Sequence, residues 1–394
     1  MLPALVAIAI SLTSYSSTER LEEMAWQEAD AKAEARHQQD LKTDIEVGAK
    51  YAVQVEQHCK LCTDPEVIKR VQRIGAEMAD VANQTHSIAL WGDHRFNTFN
   101  YTFKVIQDDV PNAFSLPGGY IYVQTGLLKI IESDDELAGV LGHEISHAKF
   151  RHVAQLQRDA SRIQLIQLPL ILAAILSGSP AAGAAIEGSA LLGTTLQNGW
   201  TVQAEEAADY GGIQLMVKSK YNATGMLTCM EHLGVLERSQ PQYYANLGIF
   251  RTHPPSKERA DSMIKYLKEN GIPIQRSKVS TSFRATVQPD DKIPGAVVIT
   301  FAGKNLFSLA GSDALTRADG VAAKLNAFLD TTPELYEVSQ GADGSILGRS
   351  ERLLQFGPED ATAQSKTIAD LQKETIANIR TALYTVSFRI WSVH

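Results

Sequence analysis

The stretch from Ser133 to His147 restricts this chain more than any other, because it carries a start signal, a buried face and a chemical motif in one run. Ser133 followed by Glu136 forms a capping box, with Asp134 and Asp135 in the first turn, where the helix dipole favours acid. Leu137, Val140, Leu141 and Ile145 recur at helical spacing and predict one buried face. His143 and His147 lie four residues apart and project from the same side, so both imidazoles can reach one metal ion. Glu144 is turned about 100° from His143 and stands beside the open coordination position. There it can take a proton from an attacking water and pass it later to a leaving amine. Zinc suits neutral imidazole plus carboxylate ligands and keeps a fourth position for water.

Such a site needs a third protein ligand. His152 lies five residues after His147, about 140° further around a continuous helix, and reads as structural rather than ligating. The run Glu205-Glu206-Ala207-Ala208-Asp209, on a helix predicted over about Val202 to Lys218, is the better source. Glu205 and Asp209 share a face, so a ligand carboxylate and a supporting carboxylate can approach the metal together. Asp209 would then hold the outer N–H of a ligating histidine. The small pairs Ala207-Ala208 and Gly211-Gly212 would let this helix lie close to its neighbour. Spacing alone does not choose between Glu205 and Glu206.

At 394 residues the chain has room for two domains. A net charge of −8 without a basic cluster excludes nucleic acid as the main partner. The apolar run Met1 to Ile10 reads as the core of a secretory signal, too short to span a bilayer as a mature helix. An exposed helix is expected over about Thr18 to Glu56, and another over Asp64 to Val81, begun by Pro65. Strands are expected at Ile88–Trp91, Phe103–Gln107 and Tyr120–Gln124, with Pro117-Gly118-Gly119 as the turn before the last. Leu165 to Leu176 reads as a buried helix, a lid or a membrane-surface segment, followed by a Gly/Ala/Ser-rich stretch from Ser177 to Gly193. Val287 to Asp291 reads as a linker. Beyond it come a strand at Val297–Phe301, an amphipathic helix at Leu315–Leu329, a strand pair Leu335–Ser339 and Ile346–Leu354 across Gly341–Gly344, and a last helix at Ala361–Leu383. The Cys59-x-x-Cys62 pair lacks the second pair a zinc site would need, and Cys229 reads as an ordinary helix residue.

With these residues in place the chain resembles the HtpX/BepA-type gluzincin peptidases, the group that also holds the CAAX prenyl proteases. The resemblance runs from about Ile45 to Tyr266. It rests on Asn112-Ala113-Phe114-Ser115-Leu116-Pro117-Gly118-Gly119, on Thr125-Gly126-Leu127-Leu128 and on Glu136-Leu137-Ala138-Gly139-Val140-Leu141-Gly142-His143-Glu144. It continues in Glu205-Glu206-Ala207-Ala208-Asp209 and Thr252-His253-Pro254-Pro255. The family pattern Glu-x-x-Ala-Asp implies that Glu205 is the third zinc ligand. It implies that His253 can approach the metal and restrain activity, the other reading being a turn histidine. Arg259 is expected in a salt bridge with the site carboxylates, or polarising a substrate carbonyl. The strand at Tyr120–Gln124 resembles the family's active-site edge strand, along which an extended peptide could add.

The expected fold class is α+β: a mainly helical zincin-type metallopeptidase domain with a small β-sheet, plus a small C-terminal α/β or α+β domain. The expected division is a signal-like segment at 1–17, an N-terminal helix at 18–44, the metallopeptidase domain at 45–285 and an accessory domain of unassigned role at 293–394. The expected function is a zinc endopeptidase, one zinc per chain, held by His143, His147 and Glu205, with Glu144 as base and Asp209 supporting. Its expected setting is the periplasm or another exported, membrane-associated location, with misfolded or unassembled envelope polypeptides as substrates and envelope assembly machinery as partner. The rival expectation is a zinc-bound periplasmic chaperone or assembly factor whose proteolysis is low or latent.

Overall fold

The computed structural model describes residues 17–163, 200–239, 257–331 and 333–386. Its first helix, α1 (Ser17–His58), covers the expected span of about Thr18 to Glu56. It is not exposed throughout: His37, Leu41, Asp44, Ala52 and Val55 recur at helical spacing and are buried. Gly48 sits on that face, where a Cβ would come within 1.8 Å of the Pro117 carbonyl oxygen. The helix therefore lies directly on the Pro117-Gly118-Gly119 turn. Helix α2 (Pro65–Gln84) starts as expected, its Glu66 and Val67 N–H groups capped by Asp64.

Three strands follow: β1 (Thr102–Ile106), β2 (Ala113–Leu116) and β3 (Tyr120–Gln124). Their order is β1-β3-β2, with β3 parallel to β1 and antiparallel to β2. Tyr120–Gln124 is thus the central strand, not the edge, because its backbone groups are taken up on both sides. The edge beside it is β2. Gln124 N–H donates to Asn112 C=O at 2.8 Å; by the alternation of an antiparallel ladder, Ala113 and Ser115 turn their backbone groups outward. The strand expected at Ile88–Trp91 does not form. Ile88 is satisfied instead by a side chain, donating to Gln214 Oε1 at 2.9 Å and accepting from Gln214 Nε2 at 3.0 Å.

Helix α3 (Thr125–Leu128) leads to α4 (Asp134–Lys149), the helix of the motif. Ser133 Oγ accepts the Glu136 N–H at 3.1 Å, but the Glu136 carboxylate reaches one residue further back, to Glu132 N–H at 2.8 Å. Then come α5 (His152–Ile163), α6 (Trp200–Lys218), α7 (Thr224–Ser239), α8 (Lys257–Glu269) and the short α9 (Arg276–Val279). Ile74, Met78, Val123, Leu137, Leu141 and Leu227 belong to the core these elements enclose. No helix among the described residues is long and apolar enough to cross a membrane. The expectations placed on Met1–Ile10, Leu165–Leu176 and Ser177–Gly193 lie outside the described residues.

A second hydrophobic core gathers the C-terminal elements. The expected linker is part of it: β4 (Thr286–Pro289) pairs antiparallel with β5 (Val297–Phe301), which pairs with β6 (Lys304–Leu309). Helix α10 (Ala314–Asp330) follows, then β7 (Val338–Gln340), β8 (Ser345–Gly348), β9 (Glu351–Gln355), α11 (Pro358–Ala363) and α12 (Ile368–Val386). Leu335–Glu337, expected in a strand, is a 3-10 turn, and Ile346–Leu354 is a hairpin in itself. The expected last helix is broken in two, with Ser365 at φ 52° between the halves. The strands β7-β8-β9 form a sheet that repeats β4-β5-β6. Each has a hairpin turning on a non-glycine residue of positive φ, Ala302 (53°) or Arg349 (57°). Each also shifts register at the matching place, Ile299/Thr300 or Ile346/Leu347. The chain is α+β.

After α4 the chain turns on Arg151, at φ 52°. Its buried guanidinium donates to Asp44 Oδ2 at 2.5 Å and to Asp93 Oδ2 at 2.9 Å, tying α1 to the end of α4. Arg151→Met would strand the Asp44 carboxylate in the interior, a change expected to cost about 3–5 kcal/mol. A lower Tm with faster proteolytic cutting inside α1 is the predicted outcome; an unchanged melt would contradict it.

Candidate metal centre

The motif helix α4 is buried along almost its whole length, and His143, Glu144 and Ser146 are buried with it. Helix α6 packs across it at close range. A Cβ on Gly211 would lie 2.5 Å from the Phe150 ring and 2.7 Å from Ser146 Oγ, and one on Gly212 would lie 3.1 Å from the His143 backbone nitrogen. Only glycine permits that approach, which carries the carboxylates of the two preceding turns onto the histidines.

His143 Nε2 lies 3.3 Å from Glu205 Oε2, and His147 Nε2 lies 3.2 Å from Glu205 Oε1. The two Nε2 atoms are 3.0 Å apart. One donor atom from each residue falls within 4.8 Å of the others, a spacing that fits a single metal ion. Two imidazoles and a carboxylate are a zinc donor set. Of the paired acids, Glu205 is buried in the cluster and Glu206 is exposed. Glu144, next to His143 on the same helix, is 1% exposed.

Behind these residues stands a second row. Asp209 Oδ1 lies 2.9 Å from His143 Nδ1, where a carboxylate can only accept, so Nδ1 carries a proton and Nε2 faces the cluster. Arg259 grips Asp209 with two hydrogen bonds, Nε to Oδ2 at 2.6 Å and a terminal nitrogen to Oδ1 at 2.7 Å, and reaches Glu205 Oε2 at 3.2 Å. It is thus placed in the salt bridge with both site carboxylates. Burial pushes Asp209 up, but the charge and hydrogen bonds of Arg259 and His143 outweigh it and hold the carboxyl below its usual range. Burial likewise pushes His143 down, and Asp209 and Glu205 reverse the sign, lifting it to about 10. At His147 burial prevails over Glu205 and the imidazole is lowered.

His152 does not join the ligand cluster, as expected from its angle. Its Nδ1 nevertheless lies 2.9 Å from His147 Nδ1, and its Nε2 lies 3.1 Å from the Trp91 carbonyl. The helical angle fails because α4 ends at Lys149 and the chain reverses on Arg151, whose left-handed backbone has no sequence signature. His253 lies outside the described residues. Cys59, Cys62 and Cys229 are free thiols, none of them in the cluster.

The model of Peptidase family M48 matches residues 65–266, half of the chain, and the whole of this cluster falls inside it. The chain belongs to peptidase family M48. The metallopeptidases of this family are zinc-dependent. The beta-barrel assembly-enhancing protease of Escherichia coli (strain K12) is 28% identical over 240 residues, 60% of this chain and 46% of that protein. The mitochondrial metalloendopeptidase OMA1 of Schizosaccharomyces pombe is 31% identical over 177 residues, 45% of this chain and 50% of the relative. Its counterpart in Arabidopsis thaliana is 32% identical over 201 residues, 50% and 38% of the two chains. The chain spans about half the length of the curated relatives it matches.

Removing the carboxylate behind His143 takes away the acceptor at its Nδ1 and the two hydrogen bonds that Arg259 makes to Asp209. Asp209→Ala is expected to weaken zinc binding by about 10–100-fold, read by competition with a chromogenic chelator. Wild-type affinity in this variant would show that Asp209 does not support the site.

Proposed function

We propose that the chain is a zinc-dependent endopeptidase in which His143, His147 and Glu205 hold one zinc ion and Glu144 is the general base and acid. The convergence of those three donors beside the buried Glu144 carries this reading. A zinc ion bound there supplies a Lewis acid that makes water nucleophilic near neutral pH and polarises the scissile carbonyl. Glu144 takes the proton from the attacking water and returns it to the leaving amine. Asp209 and Arg259 keep the His143 ring and the Glu205 carboxylate in place through that exchange.

The substrate in this reading is an extended polypeptide. It would add as a further strand to β2, pairing with the outward backbone groups of Ala113 and Ser115. Helix α4 packs against β2, so a peptide on that edge would lie alongside the helix that bears Glu144. We further propose that the substrates are misfolded or unassembled envelope proteins and that the chain works in the periplasm or an equivalent exported setting, close to envelope assembly machinery. Two features favour this setting: the apolar Met1–Ile10 run and the likeness to a beta-barrel assembly-enhancing protease. The division into a peptidase unit and a C-terminal accessory unit belongs to the same proposal, supported by two hydrophobic cores with no member in common.

Two variants test the chemistry and the substrate path separately. Glu144→Gln is expected to keep zinc and lose casein cleavage by about 10²–10⁴-fold; full cleavage would remove Glu144 from the mechanism. Zinc retained with no cleavage even by wild type would favour the chaperone alternative. Ser115→Pro deletes one outward N–H at an edge position that tolerates proline. It should raise KM for a peptide substrate while leaving zinc content unchanged, and an unchanged KM would exclude strand addition at β2.

A further inference from the structure

Where Asp209 stands behind His143, another imidazole, His152, faces His147, with Nδ1 to Nδ1 at 2.9 Å. On its far side His152 Nε2 lies 3.1 Å from the Trp91 carbonyl oxygen. A carbonyl can only accept, so His152 Nε2 carries the proton and, in the neutral ring, Nδ1 carries the lone pair. That lone pair calls for an N–H, and His147 Nδ1 faces it at 2.9 Å. The His147 proton is therefore on Nδ1, and its Nε2 lone pair is left pointing at Glu205 and His143.

We propose that His152 is the positioning residue for His147, a hydrogen-bond relay from the Trp91 carbonyl that fixes which nitrogen of His147 is free to bind the metal. This rests on the reading of His147 as a zinc ligand. The relay is built rigidly. His152 is 1% exposed and packs between the Trp91 and Phe150 rings at centroid distances of 5.2 and 5.7 Å. The Trp91 carbonyl is fixed in turn, since Asp93 N–H donates to Phe150 C=O at 2.7 Å and closes the two segments on each other. Gly92 between them has φ 101°, and a Cβ there would come within 2.5 Å of the Phe150 carbonyl oxygen and 2.8 Å of the His152 ring. Metal-bound histidines need their outer N–H held, and loss of the group that holds it costs metal affinity.

Two substitutions separate the relay from simple packing. His152→Asn places an acceptor near the position of Nδ1 but discards the ring. His152→Phe keeps the ring between Trp91 and Phe150 but offers no acceptor. Zinc affinity of the full chain would be measured by chelator competition for wild type, His152→Asn, His152→Phe and His152→Ala, with thermal melts recorded under excess chelator. The relay predicts that Phe and Ala lose about 10–100-fold in affinity while Asn stays nearer wild type, whatever the order of their melts. Wild-type affinity in His152→Phe, or a loss that follows the melts with Asn worse than Phe, would overturn the positioning role and leave the peptidase reading standing. A wild type that binds no zinc would overturn both.

Discussion

Helix α6 lies against α4 at a distance that only glycine and alanine allow, and the rest of the centre is a consequence of that approach. With Gly211 and Gly212 at the crossing, the backbone of one helix comes up to the side chains and backbone of the other. Ala207 and Ala208 are fully buried at the same seam. The gain is that Glu205 and Asp209, which share a face of α6, both reach His143 without long, mobile side chains. The cost is electrostatic, because two carboxylates are drawn out of water together. An isolated buried carboxylate is expensive, and two side by side repel each other. Arg259 resolves this by contacting both, and so helix α8 becomes part of the centre although it contributes no proposed ligand.

A second charge cluster does the same work at the far end of α4. Arg151 sits in a left-handed turn, and its guanidinium is shared between Asp44 of α1 and Asp93 of the loop between α2 and β1. Arg95 adds a second cation to Asp93, at 2.6 Å, and burial is outweighed so that Asp93 is held well below the usual carboxylate range. Nearby, Lys149 is buried and donates to the carbonyls of Ala82 and Asn97, while Asn97 bonds His37 of α1 and the Lys149 carbonyl. These contacts are directional, so they determine how the chain leaves the motif helix as well as whether it is held. That exit brings the residue after Arg151 back beside His147.

Much of the centre could be read from the residues themselves, because its parts are local. The cap at Ser133, the apolar face of α4 and the same-side placement of His143 and His147 depend on spacing within one helix, which sequence displays directly. Glu205 over Glu206 needed either the family pattern or the three-dimensional seam. What stayed hidden was pairing. Tyr120–Gln124 has the composition of a strand, but whether a strand is central or at an edge depends on its neighbours, and β1 and β2 enclose it from both sides. Thr286–Pro289 contains proline and precedes two aspartates, which reads as a linker, yet as the outer strand of its sheet β4 tolerates that proline. Ile88–Trp91 is a short apolar run like a buried strand's, yet Gln214 supplies both backbone bonds that a neighbouring strand would have made to Ile88.

The C-terminal unit raises the question of what fixes its position, since the two apolar cores share no residue. The connection includes a polar network beside the stacked His232 and Phe283 rings. Arg276 of α9 makes a buried two-pronged contact with Glu231 of α7, and Ser277 bonds Asp330 at the end of α10 through both backbone and side chain. Glu132, just ahead of α4, accepts from Ser280, Thr281 and Ser282; burial would raise its carboxyl, but these bonds lower it to about 2. An apolar seam can slide with little penalty, whereas charge-assisted hydrogen bonds weaken steeply when donor and acceptor lose alignment. The unit is therefore held in a specified orientation through α7 and the start of α4. Because α7 packs directly on the motif helix, that orientation is referenced to the same element that carries His143 and His147.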